Sequence, residues 1–133
     1  DKYGHIGNLR IIGYRPHSEI PFWLRASDIF ILPNTARESI SLYYTSPMKL
    51  FEYMAGGSPI IASDIPSIRE LLNNSNSMLI EPDNSRALAG AIGRMIADPD
   101  IGAKMAQQSF EDVKKHTWNE RAKRILGFLS EKL

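Results

Sequence analysis

Lys49 and Glu52 stand one helical turn apart in the stretch YYTSPMKLFEYMAGGSPIIASD, residues 43–64. A cation and a carboxylate at this spacing share one face of a helix. Thr45 and Ser46 precede them at a natural N-cap, and Pro47 follows with its φ set for the first helical position. Gly56 and Gly57 supply the left-handed conformation that a helix stop needs. Around Ser46, Pro47 and Met48 the amides, proline having none, point along the positive end of the helix dipole, an arrangement suited to phosphate. Lys49 adds a mobile charge, and Glu52 can accept hydrogen bonds from a vicinal diol such as a ribose. The competing reading is an ordinary capped helix, with Leu50, Phe51, Tyr53 and Met54 packed inward and both charges merely solvated.

The elements that must position this stretch alternate along the chain. Residues 9–12 form a short apolar run that ends at Gly13, which predicts a buried strand and a turn. Residues 19–26 place Ile20, Trp23 and Leu24 on one helical face, and residues 28–32 predict a second buried strand stopping at Pro33 and Asn34. The polar loop 34–45, with Arg37 and Glu38, leads into the central helix; loops of this length at a strand end commonly serve function. Residues 59–62 predict a third strand. Residues 63–73 predict a helix opened by Pro66, with a Ser67 to Glu70 capping box and Ile68, Leu71 and Leu72 buried. Residues 77–80 predict a fourth strand.

From Asp83 onward the pattern is helical. Asn84 or Ser85 caps a helix through Ala97 on which Leu88, Ala91, Ile92 and Met95 keep helical spacing. The break at residues 98–100 precedes a second helix to about Lys115 with Met105 and Phe110 inward. Thr117 and Glu120 then open a last helix with Ala122, Ile125, Leu126 and Leu129 on its buried face. Strands alternating with helices predict an α/β fold, a Rossmann-like parallel sheet flanked by helices on both faces and ending in helices. Ligands of such sheets sit beyond the carboxyl ends of the strands, where residues 13–15 and 33–46 fall.

Composition narrows the function classes. The 133 residues have room for one domain, and 43% hydrophobic with 23% charged residues describe a globular chain. A formal net charge of +1 gives no global pull toward nucleic acid. The absence of cysteine excludes disulfides and thiolate chemistry and fits a reducing, cytoplasmic setting. His5, His17 and His116 are too scattered for a metal constellation, Asp64 and Asp83 lack ligand-like spacing, and no metal site is assigned. Trp23 and Trp118 lie in helical apolar patterns that fit packing roles. Lys114, Lys115, Arg121, Lys123 and Arg124 form a basic cluster, read as a solvated helix face with contact to an anionic membrane as the alternative.

The residues SPMKLFEYMAGGSPIIASDIPSIRELL resemble the donor-side half of retaining glycosyltransferases of the GT-B architecture, family 4 in particular. The likeness begins upstream with IIGY and ASDIFILP and continues through LIEPDN, ALAGAIGRMIADP and TWNERAKRILGF, covering nearly the whole chain. It implies a C-terminal, donor-binding domain of 1–133 that holds a UDP- or GDP-sugar and serves polysaccharide biosynthesis. It implies glycosyl transfer with retention, without cofactor or obligatory metal. Glu52 matches the second glutamate of the family's paired motif, which binds the ribose hydroxyls. Ser46, Met48 and Lys49 match the positions that hold the diphosphate, and Gly13, Tyr14 and Arg15 match the turn beside the base. No catalytic side chain is assigned beyond Lys49, which would stabilise the leaving group.

Two departures from the pattern stand out. Tyr44 occupies the place of the family's first glutamate, with Glu38 the nearest upstream acid, so Tyr44 and Thr45 are read as hydroxyl contacts on the diphosphate or sugar side. The N-terminal acceptor domain, and an earlier strand and helix with a basic phosphate contact, are expected to lie outside this chain, which alone would bind nucleotide weakly and transfer no sugar. A GT-B-like sugar-nucleotide epimerase and a noncatalytic nucleotide-binding α/β module are the other classes open.

Overall fold

The computed structural model describes residues 7–45 and 48–131. Three strands, β1 (Phe30–Leu32), β2 (Ile60–Ser63) and β3 (Met78–Ile80), form a parallel sheet in the order β1-β2-β3. Phe30 pairs with Ile60, and Ile61 with Met78. Helix α1 (Ile20–Arg25) precedes β1, α2 (Met48–Gly56) links β1 to β2, and the one-turn α3 (Pro66–Arg69) leads toward β3. After the sheet come α4 (Ser85–Ala97), α5 (Pro99–Val113) and α6 (Trp118–Ser130).

The pleat of β2 divides the core. Ile60 and Ala62 pack with Phe30, Leu50, Met54, Ile65 and Ile68 on the side of α2 and α3. Ile61 turns the other way, against Met78, Ala91 and Met95. A strand buried on both faces reads as an unbroken apolar run, which is why PIIA carries no polar alternation. The predicted parallel α/β arrangement with helices on both faces is therefore the observed one.

The predicted first strand does not form. Residues 9–12 are irregular, and Leu9, Ile11 and Ile12 are exposed. A strand exists only through a ladder, and among the described residues β1 pairs with β2 alone. Among the described residues the sheet thus has three strands where four were expected, although Gly13 does adopt the turn conformation, with φ at +64°.

Other corrections concern which faces are covered. On α5 the buried residues are Gly102, Ala106 and Ser109, while Phe110, expected inward, is exposed. Small side chains let α5 approach the chain before β2 so closely that a Cβ on Gly102 would stand 3.3 Å from Pro59 Cγ. The face that packs is the one with least bulk. Helix α6 forms where predicted, capped by Thr117 Oγ1, which accepts from the Glu120 amide at 3.3 Å. Its expected buried face, Ala122, Ile125, Leu126 and Leu129, is exposed along its whole length. Trp118, expected to pack, is 78% exposed. Amphipathic spacing sets the helix but does not supply a surface to cover it.

The helix predicted over residues 63–73 shortens to α3, and the Ser67 to Glu70 capping box is not made. Ile65 is the N-cap and contributes no side-chain bond. The Ser67 hydroxyl instead donates to the buried Ser41 carbonyl at 2.7 Å. Asn84 caps α4 as expected, accepting from the Ala87 amide at 2.9 Å.

Candidate functional site

The loop of residues 33–45 leaves the carboxyl end of β1 and coils into a π-helical turn, Ile40–Tyr44, before α2. Sequence pattern reads this stretch as plain loop because a π turn has no apolar signature of its own; such turns recur at functional sites. Within it the Thr45 hydroxyl donates to the Ile40 carbonyl at 2.9 Å. Tyr44 is 80% exposed, and its ring meets Tyr43 edge-on at 6.3 Å. Ser46 and Pro47, the expected cap and first helical residue, lie outside the described residues.

Helix α2 buries Leu50 and Met54 in the core, which fixes the opposite side of the helix. Phe51, half-buried, meets the His116 ring at 5.8 Å. Lys49 and Glu52 line one cavity of about 300 Å³ with Ile20, Trp23 and Leu24 from α1 and with β1. Glu52 also lines a second concavity with His17 and Pro21, and a third with Met48, His116 and Trp118. Its carboxylate is 35% exposed, with Oε1 standing 3.7 Å from His17 Nε2. Lys49 makes no ion pair among the described residues. Gly57 ends the helix with φ at +84°.

The structure thus brings Met48, Lys49 and Glu52 together on cavity-facing surface, at the opening of a helix that follows a strand's carboxyl end. Gly13 and Tyr14 lie in an exposed segment apart from these cavities. Arg15 is tied in through Trp23, over whose ring its guanidinium sits at 5.5 Å, and through Glu19 at 3.9 Å. Two residues that sequence reasoning did not place at the site are His17 and Asp83. A histidine two residues past Arg15 was the available signal for the first. For the second it was an acid in a turn after a strand.

Asp83 Oδ2 accepts from the Ala36 amide at 2.9 Å, and Arg37 Nε lies 3.9 Å away. Its carboxyl is held below the usual range, first by that amide and then by the Thr35 hydroxyl, against an opposing effect of burial and with a lesser help from the Arg37 charge. Asp64, at the end of β2, is likewise lowered by its bidentate pair with Arg69, whose Nη2 donates at 2.7 Å. Beside Glu52, the Tyr53 hydroxyl is pushed up by burial and then by the glutamate's charge. Its ring stacks on Phe30 at 4.7 Å.

A parallel sheet whose strand-end loops feed a helix with a cation and a carboxylate over open cavities is the arrangement of phosphate- and nucleotide-handling α/β proteins. Comparison with known proteins specifies the class. A profile for the family described as Glycosyl transferases group 1 matches residues 2–98, and the chain belongs to that family. It is 25% identical over 124 residues to the phosphatidyl-myo-inositol mannosyltransferase of Mycobacterium leprae, covering 92% of this chain and 32% of that protein. In structure it is similar to sucrose-phosphate synthase from Thermosynechococcus elongatus, with a TM-score of 0.79, 23% identity, and coverage of 98% of this chain and 31% of the other. It is also similar to HepE of Anabaena in complex with UDP and glucose, with a TM-score of 0.73, 24% identity, and coverage of 92% and 32%. The fold is that of GT-B glycosyltransferases, and the chain spans about a third of the length of these relatives. No described helix is long and apolar enough to cross a membrane.

Proposed function

We propose that this chain is the donor-binding part of a retaining glycosyltransferase that moves a hexose from a UDP- or GDP-sugar to an acceptor held elsewhere in the longer protein. The observation that carries the reading is the placement of Glu52: on the cavity-facing side of α2, half-enclosed, and beside His17 rather than in the core. From there its carboxylate would bind the ribose diol, with Gly13, Tyr14 and Arg15 toward the base. Ser46, Met48 and Lys49 would meet the diphosphate, and Tyr44 and Thr45 would contribute hydroxyls where the family has its first glutamate. The relative solved with UDP and glucose supports a nucleotide-sugar as the class of ligand.

The chemistry follows from charge. Breaking the bond from the anomeric carbon to phosphate builds negative charge on the departing diphosphate and positive charge in the sugar ring. Amides at the start of α2 and Lys49, which has no ion-pair partner among the described residues, would stabilise the first as it grows, a contribution that dominates many enzymic barriers. A helix end and a lysine together would fill the role a divalent cation has in other transferases, so no metal is required.

Calorimetric titration of the chain with UDP, GDP and ADP tests this. Weak, base-selective binding with no added metal supports the reading and names the base. Equal indifference to all three would assign the chain to the noncatalytic α/β modules. Incubation with a nucleotide-sugar is expected to release no sugar, because the acceptor side belongs to the rest of the enzyme.

A further inference from the structure

We propose that Asp83 is a positioning residue for the donor site, a latch whose carboxylate holds the 33–45 loop against the carboxyl end of the sheet. The nucleotide reading above enters only in what the loop serves. Among the described residues Asp83 is the one non-glycine with a positive φ, at 57°. L-residues are rarely placed so, and glycine takes this conformation without strain. The side chain retained there at that cost crosses to a different loop: Ala36, Thr35 and Arg37, three successive residues, converge on one carboxylate.

The base of this latch is rigid. Asp83 sits between β3 and α4, in a turn closed by Asn84, whose Nδ2 donates to Glu81 at 2.6 Å while its Oδ1 caps α4. What it holds is a partly exposed loop whose Ala36 and Leu42 pack against the core and whose Ser41 is buried. A second tether grips the later half of that loop, where Ser67 donates to the Ser41 carbonyl. Asp83 therefore pins the first half of the loop and Ser67 the second, so that Tyr44, Thr45 and Met48 follow a connection held at two points. The groups facing the carboxylate are the Ala36 amide, the Thr35 hydroxyl and the Arg37 guanidinium from the loop; on its own turn Glu81 is occupied by Asn84. Protonation removes the charge that all three recognise but leaves an acceptor oxygen, and would loosen the latch rather than open it.

The variants Asp83→Gly and Asp83→Asn of the whole chain separate the carboxylate from the backbone. Glycine fits the φ, so D83G keeps the fold, while asparagine tolerates the φ and still offers an acceptor. In D83G, amide exchange at Ala36 should rise about tenfold or more and UDP should bind about five- to thirtyfold more weakly, both returning most of the way in D83N. In the unaltered chain the Ala36 amide resonance should follow the titration of a carboxylate, and in D83N it should not. Unchanged exchange in D83G, a pH-independent Ala36 resonance, or faster exchange with unaltered UDP affinity would each overturn the proposal. Should the unaltered chain bind no UDP while Ala36 exchange still rises in D83G, the donor reading fails and the tether stands.

Discussion

His17 Nε2 lies 3.7 Å from Glu52 Oε1, yet the imidazole is 90% exposed and the carboxylate only 35%. The histidine is thus a rim contact and the glutamate the more enclosed partner, which also lines three cavities. If Glu52 binds the ribose as proposed, Glu52→Ala removes a charge-assisted hydrogen bond worth about 1.5–3 kcal/mol, so UDP affinity should fall roughly 10- to 100-fold by calorimetry. His17→Ala breaks only an exposed pair and should cost less than about 1 kcal/mol. Equal losses in both variants would contradict the asymmetry.

Gly56 sets helix propensity against packing. Alanine in a helix gains up to about 1 kcal/mol over glycine. A Cβ at Gly56, however, would stand 2.7 Å from the Phe30 ring, which is 4% exposed and stacked on Tyr53. Overpacking of this kind costs about 1–3 kcal/mol, so Gly56→Ala should lower the urea midpoint despite its better propensity.

Asn76 is fully buried and uses both ends of its amide. Nδ2 donates to the Leu71 carbonyl at 3.2 Å and to Asp112 Oδ2 at 3.0 Å, and Oδ1 accepts from the Asn73 amide at 2.8 Å. Asn76→Ala orphans buried groups on both sides and should destabilise by about 2–4 kcal/mol in chemical denaturation. Asn76→Asp places one carboxylate against another, so its deficit should be largest at neutral pH and shrink on acidification.

Acid sensitivity should come from three carboxyls held below their ordinary value of 3.8: Asp64 by Arg69, Asp83 by the Ala36 amide and Asp112 by Asn76. A carboxyl lowered on folding stabilises the folded chain above the ordinary value, and that stabilisation is lost as pH falls through the lowered one. Melting temperature should therefore hold steady from neutrality to about pH 5 and drop below about pH 4, with a shallower drop in Asp112→Asn.

Local chemistry was legible in the sequence wherever the partner is also local. The Asn84 and Thr117 caps, the Gly57 stop and the apolar run of β2 each depend on residues a few positions away. What stayed hidden depends on distant chain. Residues 9–12 have the composition of a strand but no ladder partner, and Ser67 gave up a helix cap for a carbonyl 26 positions upstream. Phe110 and Ile125 follow helical spacing, but spacing tells which residues share a face and not whether anything covers it. At the site, Lys49 and Glu52 could be placed on one helix surface from their spacing. Asp83 could not be connected to Ala36, because its reach spans 47 positions and two intervening strands.

The short strand β1 has a further consequence. Its outer side carries amide and carbonyl groups that no other strand among the described residues engages. Such a rim is adhesive: it invites another extended segment to dock in register and another after that. Concentrated samples of this chain should therefore show sheet-paired association, slowed by a charged substitution at Ile31, whose side chain also lines the cavity of Lys49 and Glu52.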